Sequence, residues 1–157
     1  MTKKYRKNVG IIVCKKGKVL LCARADKQND CWQFPQGGID SGETIVDAAK
    51  RELFEETGIK NIKIIKEMPF SVTYDFPKEC KNPYLANYDG QEQFWVMFEF
   101  LGTDDEIKLD NTPNFVEFKK YKWDKIEAAP DQIVEFKKNA YLTVVKYFID
   151  FVEGLNK

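Results

Sequence analysis

Two short apolar runs rich in β-formers, Val9 to Cys14 and Val19 to Ala23, flank Lys15-Lys16-Gly17-Lys18, a pattern that predicts two antiparallel strands joined by a turn. Residues 24 to 31 read as a polar loop. Gln33-Phe34-Pro35-Gln36-Gly37-Gly38 then supplies proline and paired glycine, an irregular segment whose backbone can approach something bound. From Asp40 the period changes. Asp40 and Glu43 stand three apart as a capping box, Ile45, Ala49 and Leu53 recur every four residues, and Gly58 ends the helix. Ile62 to Met68, Phe70 to Phe76, Glu92 to Leu101 and Val116 to Trp123 predict further strands, and the long connection from Pro77 to Gly90 suggests a substrate loop. After Pro130, Ile133, Phe136, Ala140, Val144, Phe148 and Val152 fall at helical spacing, so a long amphipathic helix should close over a sheet.

The expected result is an α/β fold in one domain, residues 1–157, with 12 Phe, 3 Trp and 7 Tyr to fill its core. Composition narrows the chemistry. With no histidine, Ser-His-Asp and Cys-His nucleophile systems are excluded, as are histidine-ligated zinc and haem. Carboxylates, lysines, arginines, hydroxyls or an oxygen-held metal must do the work. Cys14, Cys22, Cys31 and Cys80 form no C-x-x-C pair, which fits a reduced, cytoplasmic compartment, and no segment reads as a signal peptide or membrane span. Net charge is zero, yet the first 24 residues hold eight basic residues and no acid, a candidate anion-facing surface or a solvated hairpin turn.

Within the predicted first helix, Glu52, Glu55 and Glu56 occupy i, i+3 and i+4, so three carboxylates share a sector of about 100°. Taken alone, such a trio is a solvated face that Arg51 or Lys50 would neutralise. The glycine-rich segment upstream shifts that reading toward a site. Crowded carboxylates stay ionised only around a cation, and an oxygen-only cluster suits Mg²⁺, with Mn²⁺ as a substitute.

Read as one string, Gly37-x5-Glu43-x7-Arg51-Glu52-Leu53-x-Glu55-Glu56-x-Gly58-Ile59 resembles the signature of the Nudix hydrolases at every specified position. A chance match is on the order of one window in a billion. Trp32-Gln33-Phe34-Pro35-Gln36-Gly37-Gly38-Ile39-Asp40, Tyr5 to Gly10, Tyr74-Asp75-Phe76-Pro77, Gly90-Gln91-Glu92-Gln93 and Phe136-Lys137-Lys138 are similar to the branch of diadenosine polyphosphate hydrolases and bacterial RNA pyrophosphohydrolases. The resemblance implies an α/β/α sandwich with a mixed sheet, a metal-binding helix and a long C-terminal helix. It further implies Mg²⁺-dependent hydrolysis of a phosphoanhydride bond in dinucleoside polyphosphates or at a 5′-triphosphate RNA end, the latter a step of messenger RNA decay. Free nucleoside triphosphates as substrates, or a catalytically silent nucleotide sensor, are the alternatives. Neither DNA nor a membrane is expected as a partner, and oligomeric state is left open.

By that resemblance the Gly37 carbonyl, Glu52, Glu55, Glu56 and a later glutamate hold metal. The family's Thr-Pro-Glu-Phe stands here as Thr112-Pro113-Asn114-Phe115, so the spacing back from Trp123 assigns the later glutamate to Glu117 and leaves Asn114 in a loop. Glu52, Glu56, Arg51 and Glu117 form the expected catalytic set, with Glu52 favoured as base. Phe136 would stack on a nucleobase, while Tyr74, Lys137, Arg6 and Arg24 would contact phosphates. Lys7 replaces the branch's usual proline, and Ala25 follows Arg24 where a second arginine can occur.

Overall fold

A computed structural model describes residues 2–79, 82–112 and 116–155. Cys80 and Asn114 lie outside the described residues. Strand β1 (Tyr5–Lys15) turns through Lys16-Gly17 into β2 (Lys18–Arg24). Both turn residues have positive φ, 53° and 78°, and glycine at the second tolerates this without a Cβ clash. Next come β3 (Trp32–Gln33), β4 (Gln36–Gly38), helix α1 (Ile45–Thr57), β5 (Ile62–Glu67), β6 (Val72–Asp75), β7 (Gly90–Phe100), β8 (Phe118–Asp124) and helix α2 (Lys138–Gly154).

The sheet is mixed. Its spine runs β3-β2-β1-β7-β5, with β4 added to β1, β6 to β7 and β8 to β2. At the centre β1 pairs in parallel with β7, from Tyr5 opposite Gly90 to Cys14 opposite Glu99. Alternation along β1 sorts its side chains to two sides. Val9, Ile11 and Val13 pack with Ala48, Ala49 and Leu53 of α1. Ile12 and Cys14 join Trp95 and Met97 of β7 against Tyr141, Val144 and Phe148 of α2. One helix therefore covers each face, the α/β/α sandwich the sequence predicts.

Several boundaries differ from expectation for local reasons. Helix α1 begins at Ile45, because the Thr44 hydroxyl accepts from Asp47 N–H at 3.1 Å and so serves as the N-cap. The Asp40–Glu43 pair still forms, with Asp40 N–H donating to Glu43 Oε1 at 2.9 Å, but it braces the preceding loop. Gly58, at φ 77°, stops the helix and donates its N–H to Phe54 O. Strand β1 starts at Tyr5 rather than Val9, since its polar beginning pairs with β4 and β7. Gln33 and the Gln36–Gly38 segment, expected to be irregular, are short strands. Strand β6 is shorter than Phe70 to Phe76, and Val116 precedes β8. Ile133 and Phe136 lie ahead of α2 in tight turns, with Phe136 in a 3₁₀ turn at Glu135–Lys137.

Candidate active site

Gly37, on β4, faces α1 so closely that a Cβ there would lie 2.1 Å from the Glu52 carboxyl carbon. With Glu52 in this position the backbone and a carboxylate share a space that leaves no room for a Cβ, so glycine lets the carboxylate lie against the strand. Around this contact Arg6, Gln36, Gly37, Gly38, Glu52, Glu55, Glu56, Thr112 and Glu117 line a cavity of about 270 Å³. The structure therefore brings together every expected metal ligand, although Glu117 comes from well beyond α1 in the sequence, just ahead of β8.

Electrostatics make this cluster unlike a solvated helix face. Glu56 is buried, and among the described residues its Oε2 has no hydrogen-bond partner. Burial, then the charges of Glu117 and Glu52, hold its pKa well above the ordinary 4.5. Burial likewise raises the pKa of Glu52 and Glu117. Carboxylates gathered this way disfavour one another's ionisation unless a cation joins them. The donors are all oxygen, one is buried and orphaned, and Gly37 leaves room at the backbone, so these residues fit a hard divalent ion.

Arg51 lies beside the cavity rather than in its lining. Its Nε donates to Glu43 Oε2 at 2.7 Å, Nη2 to Glu43 Oε1 at 3.0 Å and to Gly38 O at 2.9 Å, and Nη1 to Glu52 Oε1 at 2.9 Å. One guanidinium therefore ties the glycine loop to the helix and fixes the Glu52 carboxylate. Contact with Arg51 pulls the partly buried Glu43 down to a pKa of about 2. As the side chains stand, no group of three acidic residues among those described is arranged to hold one ion. Glu52 is turned toward Arg51, so a bound cation would share it.

The expected substrate contacts form a second group. Tyr74 and Phe136 have ring centroids 5.7 Å apart, and Lys137 Nζ stands 5.6 Å from the first ring and 5.9 Å from the second. Phe136 is 38% exposed, while Lys137 is buried and its pKa falls to about 8, chiefly from burial and then from the charge of Arg24. Arg24 itself grips Asp26 through Nε and Nη2, at 2.9 and 2.7 Å, and is absent from the cavity lining. Arg6 does line the cavity and donates from Nη1 to Gln91 Oε1 at 2.9 Å.

Sequence reasoning missed Gln36 and Thr112, which line the cavity, and the buried amides behind them. Gln93 Nε2 donates to Asn8 Oδ1, and Asn8 Nδ2 donates to Gln36 Oε1, each at 2.8 Å. Gln91 Nε2 donates to the Tyr74 hydroxyl. Thr112 Oγ1 donates to Glu55 O at 3.0 Å, pinning the loop before Glu117 to the end of α1. The Tyr5 to Gly10, Trp32 to Asp40 and Gly90 to Gln93 strings contain these amides, but only the folded sheet brings them together.

Comparison with known proteins agrees with the geometry. The NUDIX domain matches residues 4–144. The chain is 42% identical to an RNA pyrophosphohydrolase of Bartonella henselae, over 96% of this chain and 94% of that protein. It is 41% identical to Nudix hydrolase 27, chloroplastic, of Arabidopsis thaliana, over 93% of this chain and 68% of that protein. A solved structure of the E. coli dihydroneopterin triphosphate pyrophosphohydrolase shares the fold, with a TM-score of 0.68 and 22% identity over 92% of this chain and 99% of that one. The chain belongs to the Nudix hydrolase family.

Proposed function

We propose that this single-domain chain is a Mg²⁺-dependent hydrolase of phosphoanhydride bonds in nucleotide polyphosphates, and that its substrate is the 5′-triphosphate end of RNA. The observation that carries the hydrolase reading is the buried Glu52–Glu56–Glu117 cluster against Gly37, with the Glu56 Oε2 orphan. The whole-length resemblance to RNA pyrophosphohydrolases supports the choice of RNA over dinucleoside polyphosphates.

Glu52, Glu55, Glu56, Glu117 and the Gly37 carbonyl are the groups that would hold the metal. Bound there, Mg²⁺ would neutralise phosphate charge and increase the acidity of an attacking water. Glu52 is assigned as the base, because it lines the cavity and Arg51 fixes one of its oxygens. Arg51 acts by positioning. Arg6 and Lys137 would receive substrate phosphates, and the exposed ring of Phe136 would stack on a base with little preference among bases. Arg24 would join them by releasing Asp26, and Tyr74 would hold the Gln91–Arg6 pair in place. The free thiols of Cys14, Cys22 and Cys31 support a reducing, cytoplasmic setting. Among the described residues no helix is long and apolar enough to cross a membrane.

Purified protein with Mg²⁺ is expected to hydrolyse 5′-triphosphorylated RNA with a higher kcat/KM than diadenosine tetraphosphate, and Glu56→Gln should lose several orders of magnitude on both. A preference for the dinucleotide would reassign the substrate. Undiminished turnover by Glu56→Gln would overturn the metal-site assignment.

A further inference from the structure

Beyond the cavity, the edge strand β8 carries lysines in an arrangement that the reaction at the glutamates does not use. On β8, Lys120 lies opposite Ala23 and Lys122 opposite Leu21, while Trp32 pairs with Ala23 from the other side. Period-two alternation therefore places Lys120, Lys122 and Trp32 on one face of the sheet. The small Ala23 between them lets both lysines reach across. Lys122 Nζ stands 4.4 Å and Lys120 Nζ 5.6 Å from the centroid of the Trp32 ring. The ring is itself held against the core that α2 covers, so it fixes two ammonium groups that would otherwise sweep through solvent. Lys119 stands beside them, donating to Lys27 O at 2.9 Å.

Nearby acids only partly offset this row. Asp30 meets Lys119 and Lys120 at 3.5 and 2.6 Å, and Asp124 meets Lys122 at 3.2 Å. Lys122 Nζ also donates to Gln132. The row is continuous with the site. Trp32 follows Cys31, which together with Arg24, Lys27 and Glu117 lies in the electrostatic neighbourhood of Lys137. Ala25 N–H donates to Glu117 O at 2.9 Å, and Lys119 stands two positions beyond Glu117. Alternate residues of a strand are about 6.6 Å apart, the order of the separation between successive phosphates on a nucleic-acid strand.

We infer that Lys120 and Lys122, set on Trp32, with Lys119 beside them at Asp30, form a track for the phosphates of single-stranded RNA downstream of the 5′ end. This inference rests on the reading of the protein as an enzyme of RNA ends. The track would confer a preference for longer transcripts, because a dinucleoside polyphosphate or a triphosphorylated dinucleotide has no downstream backbone to lay on it. Such contacts give affinity without sequence preference and make it salt-dependent.

The test compares wild type with Lys120→Ala/Lys122→Ala on a triphosphorylated dinucleotide and a triphosphorylated twelve-nucleotide unstructured RNA, across a series of salt concentrations. Lys16→Ala/Lys18→Ala, altered at the β1–β2 turn away from Trp32, is the charge-matched control. Wild type and control should favour the longer RNA by about tenfold in kcat/KM at low salt. The Lys120/Lys122 variant should lose that preference while keeping its turnover of the dinucleotide. Its log–log salt slope on the longer RNA should be shallower by about 1.4, at about 0.7 for each phosphate that no longer meets a lysine. Equal use of the two RNAs by wild type, or an unaltered preference in the variant, would overturn the track and leave the substrate reading intact. Hydrolysis of diadenosine tetraphosphate with neither RNA cut would overturn both.

Discussion

Gly37 shows how one missing side chain can matter more for chemistry than for folding. The atoms that a Cβ at this position would strike are the end of the Glu52 side chain, with the carboxyl carbon at 2.1 Å and Oε2 at 2.3 Å. A flexible terminus can swing away, so Gly37→Ala should fold with a melting temperature within a few degrees of wild type. It should lose about 100-fold in kcat/KM, the cost expected when a reacting group is displaced by roughly 1 Å. Thermal melts and steady-state kinetics on the same preparations check the two halves. Residues of this kind were unequally legible in the sequence. Glu52, Glu55 and Glu56 stood out because helical spacing puts them on one face, and Gly37 because its spacing to them was intact. Asn8, Gln36 and Thr112 stood inside strings similar to the family's, but their roles were not legible. Their partners come from other elements, as Asn8 does to Gln36 and Gln93 and Thr112 to the end of α1, and an amide in a strand has no periodic signature.

Among the elements, β1 and β7 meet closely enough to demand a second glycine. A Cβ on Gly10 would lie 2.5 Å from the Trp95 ring, which is fully buried between Phe34 and Tyr141 at centroid distances of 5.5 and 5.8 Å. Here the obstacle cannot swing aside. Gly10→Ala is therefore expected to destabilise the fold by about 1–3 kcal/mol through overpacking, read from the denaturant midpoint, in contrast to the change at Gly37. Element existence was largely readable in the chain, since the central strands are continuous apolar runs and the helices carry a period of nearly four. Their ends were less so. Thr44 takes the cap from Asp40 through a contact of its own hydroxyl, and the polar start of β1 becomes strand only because β4 and β7 lie alongside. Phe136 kept its helical spacing from Ala140 although a 3₁₀ turn precedes α2.

Across the whole molecule, the glutamate cluster couples stability to pH and metal. Glu52, Glu56 and Glu117 have folded-state pKa values raised above 4.5, so the metal-free native state retains protons that the unfolded chain has released. Stability of the metal-free protein should therefore fall as pH rises from about 4.5 toward 7. Glu43, drawn down to about 2 by Arg51, acts oppositely, its contribution being lost only as pH falls below about 4.5. Melting temperatures measured with a chelator should decline over that range. Saturating Mg²⁺ should restore them increasingly toward neutral pH, and Glu56→Gln should flatten the decline.

The parallel pairing of β1 with β7 also sets an order on the making of the fold. Arg6 and Gln91 meet across 85 residues of sequence, and every residue of β1 from Tyr5 to Cys14 finds its β7 neighbour at that separation. On the ribosome, β1 must therefore wait, with its Val9–Cys14 run unshielded along one edge, until β7 has emerged. Closing so long a loop before any contact rewards it makes this pairing a slow step, and the lysines and arginine that begin β1 are the charges that would keep the waiting strand from pairing with a neighbour.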